Sequence, residues 1–190
     1  MKQFKSLDII LAGGKGARLF PITRDRAKPA APYGGKYRII DLPINNHVNS
    51  GSRNILVIAQ YQPASLMRHI QHAWAHMFEK GGTEFIRVVQ PEHTNYKGTA
   101  DAVYHNLKLI EENKPHIVTI FCGDHVYLMD IAQMKQFHLD HKADLTIAAM
   151  PVRRDAASGN LGVLVANENN DLVGFQEKPI NPAHIPGMED

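Results

Sequence analysis

The chain has 190 residues, 44% of them hydrophobic and 21% charged, with a formal net charge of +2. These values exclude a disordered tail, which lacks apolar residues, and a general nucleic-acid surface, which needs a large excess of Lys and Arg. A single cysteine, Cys122, rules out an internal disulfide. No apolar run reaches the roughly 18 residues of a membrane-spanning helix, and the N-terminus lacks the apolar core of a secretion signal, so a cytoplasmic chain without membrane partners is expected.

Taken in order, apolar runs alternate with helical patterns. Residues 7–12 are short, apolar and β-branched, as a buried strand requires, and stop at Gly13 and Gly14. Residues 42–50 read as a short helix stopped by Gly51, and 54–59 as a second buried strand. A longer amphipathic helix spans 63–78, a third strand 85–89, and a helix 99–113 with Pro115 beyond its end. Residues 117–122 form a fourth strand and 131–141 a fourth long helix. This alternation predicts an α/β fold: a mainly parallel, doubly wound, Rossmann-like sheet with ligands at the C-terminal strand ends, where Gly13, Gln60 and Asp124 fall. After Asp144 the texture changes. Residues 145–150 read as one more strand, and 162–165 and 172–175 as antiparallel additions separated by Asn-rich turns. Residues 179–190 read as an extended loop. One domain is the simplest organisation for this length.

The stretch 9–29 carries the first chemistry. Gly13, Gly14 and Gly16 follow a strand directly, so backbone N–H groups can approach an anion, and Lys15, Arg18, Arg26 and Lys28 supply positive charge in the same loop. This suits a polyphosphate. It is not the dinucleotide fingerprint, because Leu19 stands where the third glycine belongs, nor a P-loop, because Gly16 follows Lys15 where Ser or Thr would be needed.

Further candidates lie downstream. Asp124, in Cys122-Gly123-Asp124-His125, projects a carboxylate from a strand end towards the presumed ligand crevice, a sufficient protein ligand for Mg²⁺ facing a triphosphate. Gly98 precedes a helix rich in small residues, a place for close approach of a base or sugar. Glu177 and Lys178 end a strand as either an exposed ion pair or a site for hydroxyls and a phosphate. His69, His72 and His76 share a helix face with metal-ligand spacing but no supporting Cys or Asp/Glu pair, and a packed or solvated face is the better reading. Trp74, Met67 and Met77 read as core or subunit contact.

The segments L-A-G-G-K-G-A-R-L, A-K-P, G-G-K-Y-R-I-I-D, Q-Y-Q, Y-K-G-T-A-D-A-V, G-D-H and E-K-P occur here in an order that resembles the sugar-nucleotide pyrophosphorylases. Segments 34–41 and 98–103 favour the adenylyl branch, the glucose-1-phosphate adenylyltransferases. The resemblance implies adenylyl transfer from ATP to glucose 1-phosphate, giving ADP-glucose and pyrophosphate for glycogen or other α-glucan synthesis, with Mg²⁺ as cofactor. It implies Gly13, Gly14, Gly16, Gln60 and Gly98 on the nucleotide and Arg18, Lys28 and Asp124 at the reacting phosphates. Asp124 would also be the metal ligand. Tyr96, Gly162, Glu177 and Lys178 would lie around the sugar phosphate. Relatives of this kind continue past residue 190 into a β-helix domain, so the chain is expected to be a truncated nucleotidyltransferase domain. By the same resemblance Gln90 and Glu92 compete for the base-reading position, and assembly as a homo-oligomer or with a longer subunit is expected. An alternative stands beside this one: a truncated, inactive polypeptide that binds nucleotide or assembles with a fuller subunit, or a pyrophosphorylase for another nucleotide and sugar phosphate.

Overall fold

The structure is a computed structural model that describes residues 4–78, 82–92 and 95–187. It contains two compact units, one ending at His141 and the other starting at Lys142. Among the described residues no helix is long and apolar enough to cross a membrane.

The first unit is built on β1 (Ser6–Ala12), buried on both faces because Leu7, Ile9 and Ile10 leave no polar side to the strand except Asp8. A loop follows, containing 3-10 turns at Ala17–Leu19 and Lys28–Ala30 and a small antiparallel ribbon, β2 (Pro32–Tyr33) with β3 (Tyr37–Arg38). Next come α1 (Asp41–Asn49), ended by left-handed Gly51, then β4 (Asn54–Ala59) and α2 (Pro63–Ala73) with Pro in its first turn. They are followed by β5 (Phe85–Val89), α3 (Thr99–Tyr104), α4 (Leu107–Asn113), β6 (Ile117–Cys122) and α5 (Ile131–Asp140), whose N-cap Asp130 accepts from the Ala132 N–H.

The sheet order is β5-β4-β1-β6, all parallel, with Leu11 opposite both Ile58 and Cys122. From β1 the chain winds outward through β4 and β5, then returns to the other side of β1 for β6. The order therefore reverses between β1 and β6, and that switch point is where an open parallel sheet leaves a crevice beyond its carboxyl ends. One face is closed by α1, α2 and the 30–40 segment around Ile10, Ile40, Ile44, Val57 and Leu66. The other is closed by α3 and α4 around Leu7, Ile9, Leu56, Ala102 and Ile110. Each fully buried Leu or Ile contributes about 1.5–3 kcal/mol, so the two layers together fix the sheet. The edge strand β6 keeps Val118 and Ile120 exposed.

The one buried polar position of β1 is compensated. Asp8 accepts a 2.6 Å hydrogen bond from Thr119 and lies 2.8 Å from the Lys135 ammonium of α5, while His47 of α1 stands 3.6 Å away. Burial alone would raise the Asp8 carboxyl, but His47 and the Lys135 charge outweigh it and hold the group well below the usual carboxylate range.

The second unit contains α6 (Arg154–Ala157) and the antiparallel hairpin β7 (Gly162–Ala166) with β8 (Leu172–Glu177). Residues 179–187 have no regular structure, as expected, and 188–190 of that expected loop lie outside the described residues.

Three expectations are corrected. The helix expected over 63–78 ends at Trp74, whose indole turns in to donate to Asp41 Oδ1 at 2.7 Å, and only a 3-10 turn, Ala75–Met77, follows. The helix expected over 99–113 is broken at Asn106, whose amide donates to the Ala102 carbonyl at 2.8 Å and competes with the backbone for that acceptor. Residues 145–150 form no ladder among the described residues, and Leu145, Ile147 and Met150 are exposed. Their composition suits a strand, but a strand exists only where another edge accepts its hydrogen bonds.

Candidate active site

The glycine loop leaves β1 and returns on itself. Gly16 is left-handed, with φ 66°, and the Thr23 hydroxyl donates to its carbonyl at 2.9 Å. Lys28 N–H then donates to the Gly14 carbonyl at 3.3 Å, so the Lys28 segment lies against the glycines. A Cβ on Gly16 would stand 2.6 Å from Lys28 Cβ, closer than two carbons approach, so glycine here is needed both for its dihedral and for its size.

At the switch point Lys28 Nζ lies 3.0 Å from Asp124 Oδ2, both side chains about one-third exposed. Asp124 is carried there by Gly123, whose N–H donates to the Leu11 carbonyl at 2.8 Å. A Cβ on Gly123 would fall within 3 Å of Ile40 and Ile10. Close packing against β1 and Ile40 is what requires that glycine. Gly14 faces the same carboxylate, its Cβ position 3.9 Å from Asp124 Oδ2. The loop glycines, one ammonium and one carboxylate thus meet at the carboxyl ends of neighbouring strands. Arg18 is exposed on the adjacent 3-10 turn, and Lys15 Nζ lies 5.9 Å from the Tyr61 ring centre.

Gln60 follows β4 and accepts from the Tyr96 N–H at 2.8 Å, and the Tyr96 hydroxyl accepts from Asn106 at 3.1 Å. The break in the α3–α4 helix thus holds Tyr96, and Gln60 ties the segment before Gly98 to the sheet. Gly98 itself is extended, and no atom lies within 4 Å of where its Cβ would be, so its own chain does not require glycine. Gln90 is exposed just past β5, and Glu92 is exposed two residues on.

In the second unit Gly162 pairs with Glu177 in the hairpin, and a Cβ at Gly162 would meet the Phe175 ring at 2.8 Å. Glu177 and Lys178 form an exposed pair at 3.9 Å, with Lys178 left-handed at φ 45°. His69, His72 and His76 do not gather: His69 Nε2 pairs with Asp41 Oδ1 at 2.6 Å, and His72 Nδ1 with the Arg68 carbonyl at 2.7 Å. Met67 and Met77 are exposed, whereas Trp74 packs on the core.

Sequence reasoning missed a support network. Asp41 accepts from the Arg38 N–H, His69 and Trp74, and the Arg38 guanidinium donates to the Ala30 carbonyl and to Ser65. The Ile40 N–H donates to the Pro29 carbonyl. These bonds anchor the residues just after Lys28 to α1 and α2. The acid in G-G-K-Y-R-I-I-D was a visible signal, but nothing local names His69 or Trp74 as its partners.

Among the described residues, Cys122, Asp124 and His125 each bring one metal-ligating atom within 4.8 Å of the others. Cys122 is half-buried; burial and then Asp124 push its thiol up, against the opposing charge of Lys28. An open hollow lined by Asn45, Asn49, Leu128, Met129 and Asp130 contains none of the expected site residues.

The glycine loop, Lys28 and Asp124 thus stand together at the switch point of an open parallel α/β sheet, the place where such sheets bind ligands. Residues 7–186 match the nucleotidyl transferase family, and the chain belongs to it. The chain is 44% identical over 191 residues to the glucose-1-phosphate adenylyltransferase of Thermodesulfovibrio yellowstonii, covering 98% of this chain and 46% of that protein. It is 47% identical to the enzyme of the same name from Rhodopirellula baltica, covering 98% and 42%, and 44% identical to that of Thermus thermophilus, covering 100% and 47%. The chain therefore spans less than half the length of these curated relatives.

Proposed function

We propose that the chain supplies the nucleotide-binding and phosphate-transfer end of a glucose-1-phosphate adenylyltransferase, which makes ADP-glucose for glycogen or another α-glucan. The observation that carries this reading is the 3.0 Å Lys28–Asp124 pair beside Gly14 and Gly16 at the switch point, together with the likeness to the glucose-1-phosphate adenylyltransferases.

In this reading Gly13, Gly14 and Gly16 present N–H groups to the ATP phosphates, and Gln60 and Gly98 border the nucleoside. A phosphate oxygen of glucose 1-phosphate attacks the α-phosphorus; a new P–O bond forms as the bond to the β-phosphate breaks, and pyrophosphate leaves. No side-chain nucleophile is needed. Lys28 exchanges its carboxylate for the α-phosphate, and Arg18 turns its guanidinium onto the same charge, so the chain stabilises charge where it develops. Tyr96 is assigned to the sugar side, and Gly162, Glu177 and Lys178 to the sugar phosphate.

The donor chemistry fits Mg²⁺. Asp124 offers a hard, partly exposed oxygen ligand next to where phosphates would lie, and Mg²⁺ is usually held by one or two carboxylates plus substrate phosphates. When bound, such an ion supplies charge neutralisation to the leaving pyrophosphate. Asp124 would be its ligand from this chain.

The test is pyrophosphate release from ATP and glucose 1-phosphate with Mg²⁺, alongside calorimetric binding of ATP, UTP, GTP and dTTP. ATP should bind most tightly. A clear preference for another nucleotide sinks the adenylyl assignment, while binding without turnover favours the alternative of a nucleotide-binding or subunit-assembly polypeptide.

A further inference from the structure

The side chains around Asp124 are not those of a site for a hard cation alone. β6 ends at Cys122, Gly123 pins the next turn to β1 through its bond to Leu11, and Asp124 and His125 follow at once. A thiol, a carboxylate and an imidazole therefore issue from four consecutive residues on a backbone held by packing against Ile10 and Ile40. Their ligand atoms lie within 4.8 Å of one another, and His125 Nε2 is already 3.7 Å from Asp124 Oδ1. Metal–ligand bonds of about 2.0 Å to nitrogen or oxygen and 2.3 Å to sulfur put neighbouring ligands of a tetrahedral ion roughly 3.3–3.8 Å apart. The three atoms need to close by up to about 1.5 Å to meet those bonds. The His125 side chain, 65% exposed, can rotate to do so.

We propose that Cys122, Asp124 and His125 form a binding site for a thiophilic divalent cation of the Zn²⁺ class. Three protein ligands leave the fourth position open to water or a ligand oxygen. Thiolate and imidazole donors select such an ion over Mg²⁺, which takes oxygen. Lys28 is the opposing charge: its ammonium, 3.0 Å from Asp124 Oδ2, is displaced when the carboxylate turns to the metal. Occupancy ties the Asp124 carboxylate to zinc, so it no longer holds the Mg²⁺ through which this carboxylate would meet the phosphates, while the Lys28 ammonium is left without its carboxylate partner. The consequence is a block on nucleotide binding by zinc at concentrations where Mg²⁺ is in large excess. The metal site itself rests on the three side chains and not on the adenylyl reading; only its effect on nucleotide does.

The test is a Co²⁺ titration of the full chain, reduced and stripped of metal, followed by Zn²⁺ displacement. One equivalent should give a thiolate-to-cobalt charge-transfer band in the near ultraviolet with tetrahedral d–d absorption, both abolished by Zn²⁺ and both retained in a large excess of Mg²⁺. Cys122→Ser should lose the charge-transfer band, and Cys122→Ser and His125→Ala should each weaken Zn²⁺ binding at least about tenfold, in line with the loss of ligand support at metal centres. Both variants should keep the wild-type melting temperature in the absence of metal. The chain has 11 histidines, so a histidine-only spectrum, or Zn²⁺ affinity unchanged in both folded variants, places the metal elsewhere and overturns the proposal. Metal binding with the expected spectrum but no loss of ATP affinity keeps the site and overturns its effect on the nucleotide.

Discussion

Gly16→Ala is the sharpest probe of the loop, because the structure gives both parts of its effect. The left-handed dihedral, φ 66°, costs a residue with a Cβ about 1–2 kcal/mol. The new methyl would stand 2.6 Å from Lys28 Cβ and 3.1 Å from Thr23 Cγ2, against roughly 3.5 Å for carbons in contact. Lys28 cannot yield cheaply, since the clash is at its Cβ and its N–H is bonded to the Gly14 carbonyl. Overpacking of this size adds about 1–3 kcal/mol. The sum is about 2–5 kcal/mol, or a fall of roughly 4–20 °C in melting temperature for a chain of this length. A displacement near 1 Å also carries the Lys28 ammonium away from Asp124 and from the proposed α-phosphate position. Scanning fluorimetry and ATP calorimetry at saturating Mg²⁺ should show the lower melting temperature together with ATP affinity reduced at least tenfold. Gly14→Ala is the control: its Cβ would meet only Asp124 Oδ2, at 3.9 Å, so it should melt like the wild type yet bind ATP more weakly. A Gly16→Ala protein with wild-type melting temperature and ATP affinity refutes the argument.

Three further outcomes are expected. Gly98→Ala should leave stability unchanged, since nothing in the chain lies within 4 Å of the new methyl, but should weaken ATP binding; equal affinity by calorimetry removes Gly98 from the nucleotide site. Asp8→Asn should cost about 3–5 kcal/mol in denaturant unfolding at pH 7 by leaving the largely covered Lys135 ammonium beside a neutral, fully buried partner. The Asp8 carboxyl is depressed in the folded chain, so its stabilisation is complete above its unfolded value near 4 and fades as pH falls below that; the variant should show a flatter acid limb, and identical slopes would contradict the assignment. Lys178→Ala should weaken glucose 1-phosphate binding about tenfold or more and spare ATP; equal losses for both ligands in calorimetry exclude a sugar-phosphate role.

The parallel core was legible because its central strands, β1 and β4, are buried on both faces and read as nearly unbroken apolar runs, while β5 and β6 beside them carry the same β-branched composition. Ser6–Ala12, Asn54–Ala59, Phe85–Val89 and Ile117–Cys122 all emerge within a residue of the expected bounds. The helix breaks were not legible, since each comes from a side chain that finds a partner out of register with its helix. Trp74 leaves α2 for Asp41, 33 residues earlier, and Asn106 interrupts α3–α4 to hold Tyr96. Residues 145–150 show the converse: strand propensity is present, but no ladder forms there among the described residues, and β pairing is a property of two segments.

The candidate site divides along the same line. Residue types that act through the backbone, such as Gly13, Gly14 and Gly16, declare themselves by spacing. The contact that gives them chemistry, Lys28 with Asp124, spans 96 residues and exists only because β6 returns beside β1. That return depends on groups with no chemical signature of their own: Gly123 small enough to pack on Ile10 and Ile40, and Asp41 gathering Arg38, His69 and Trp74 so that the segment after Lys28 is held. Preorganisation of this kind decides whether an ammonium meets a phosphate within the fraction of an ångström that electrostatic stabilisation needs. Cys122 stands at the same strand end because β6 must stop there for Asp124 to project. A thiol in that position is therefore brought to the carboxylate by the same strand return that places Asp124 beside Lys28, and its donor chemistry is what the proposed second class of ion at that carboxylate rests on.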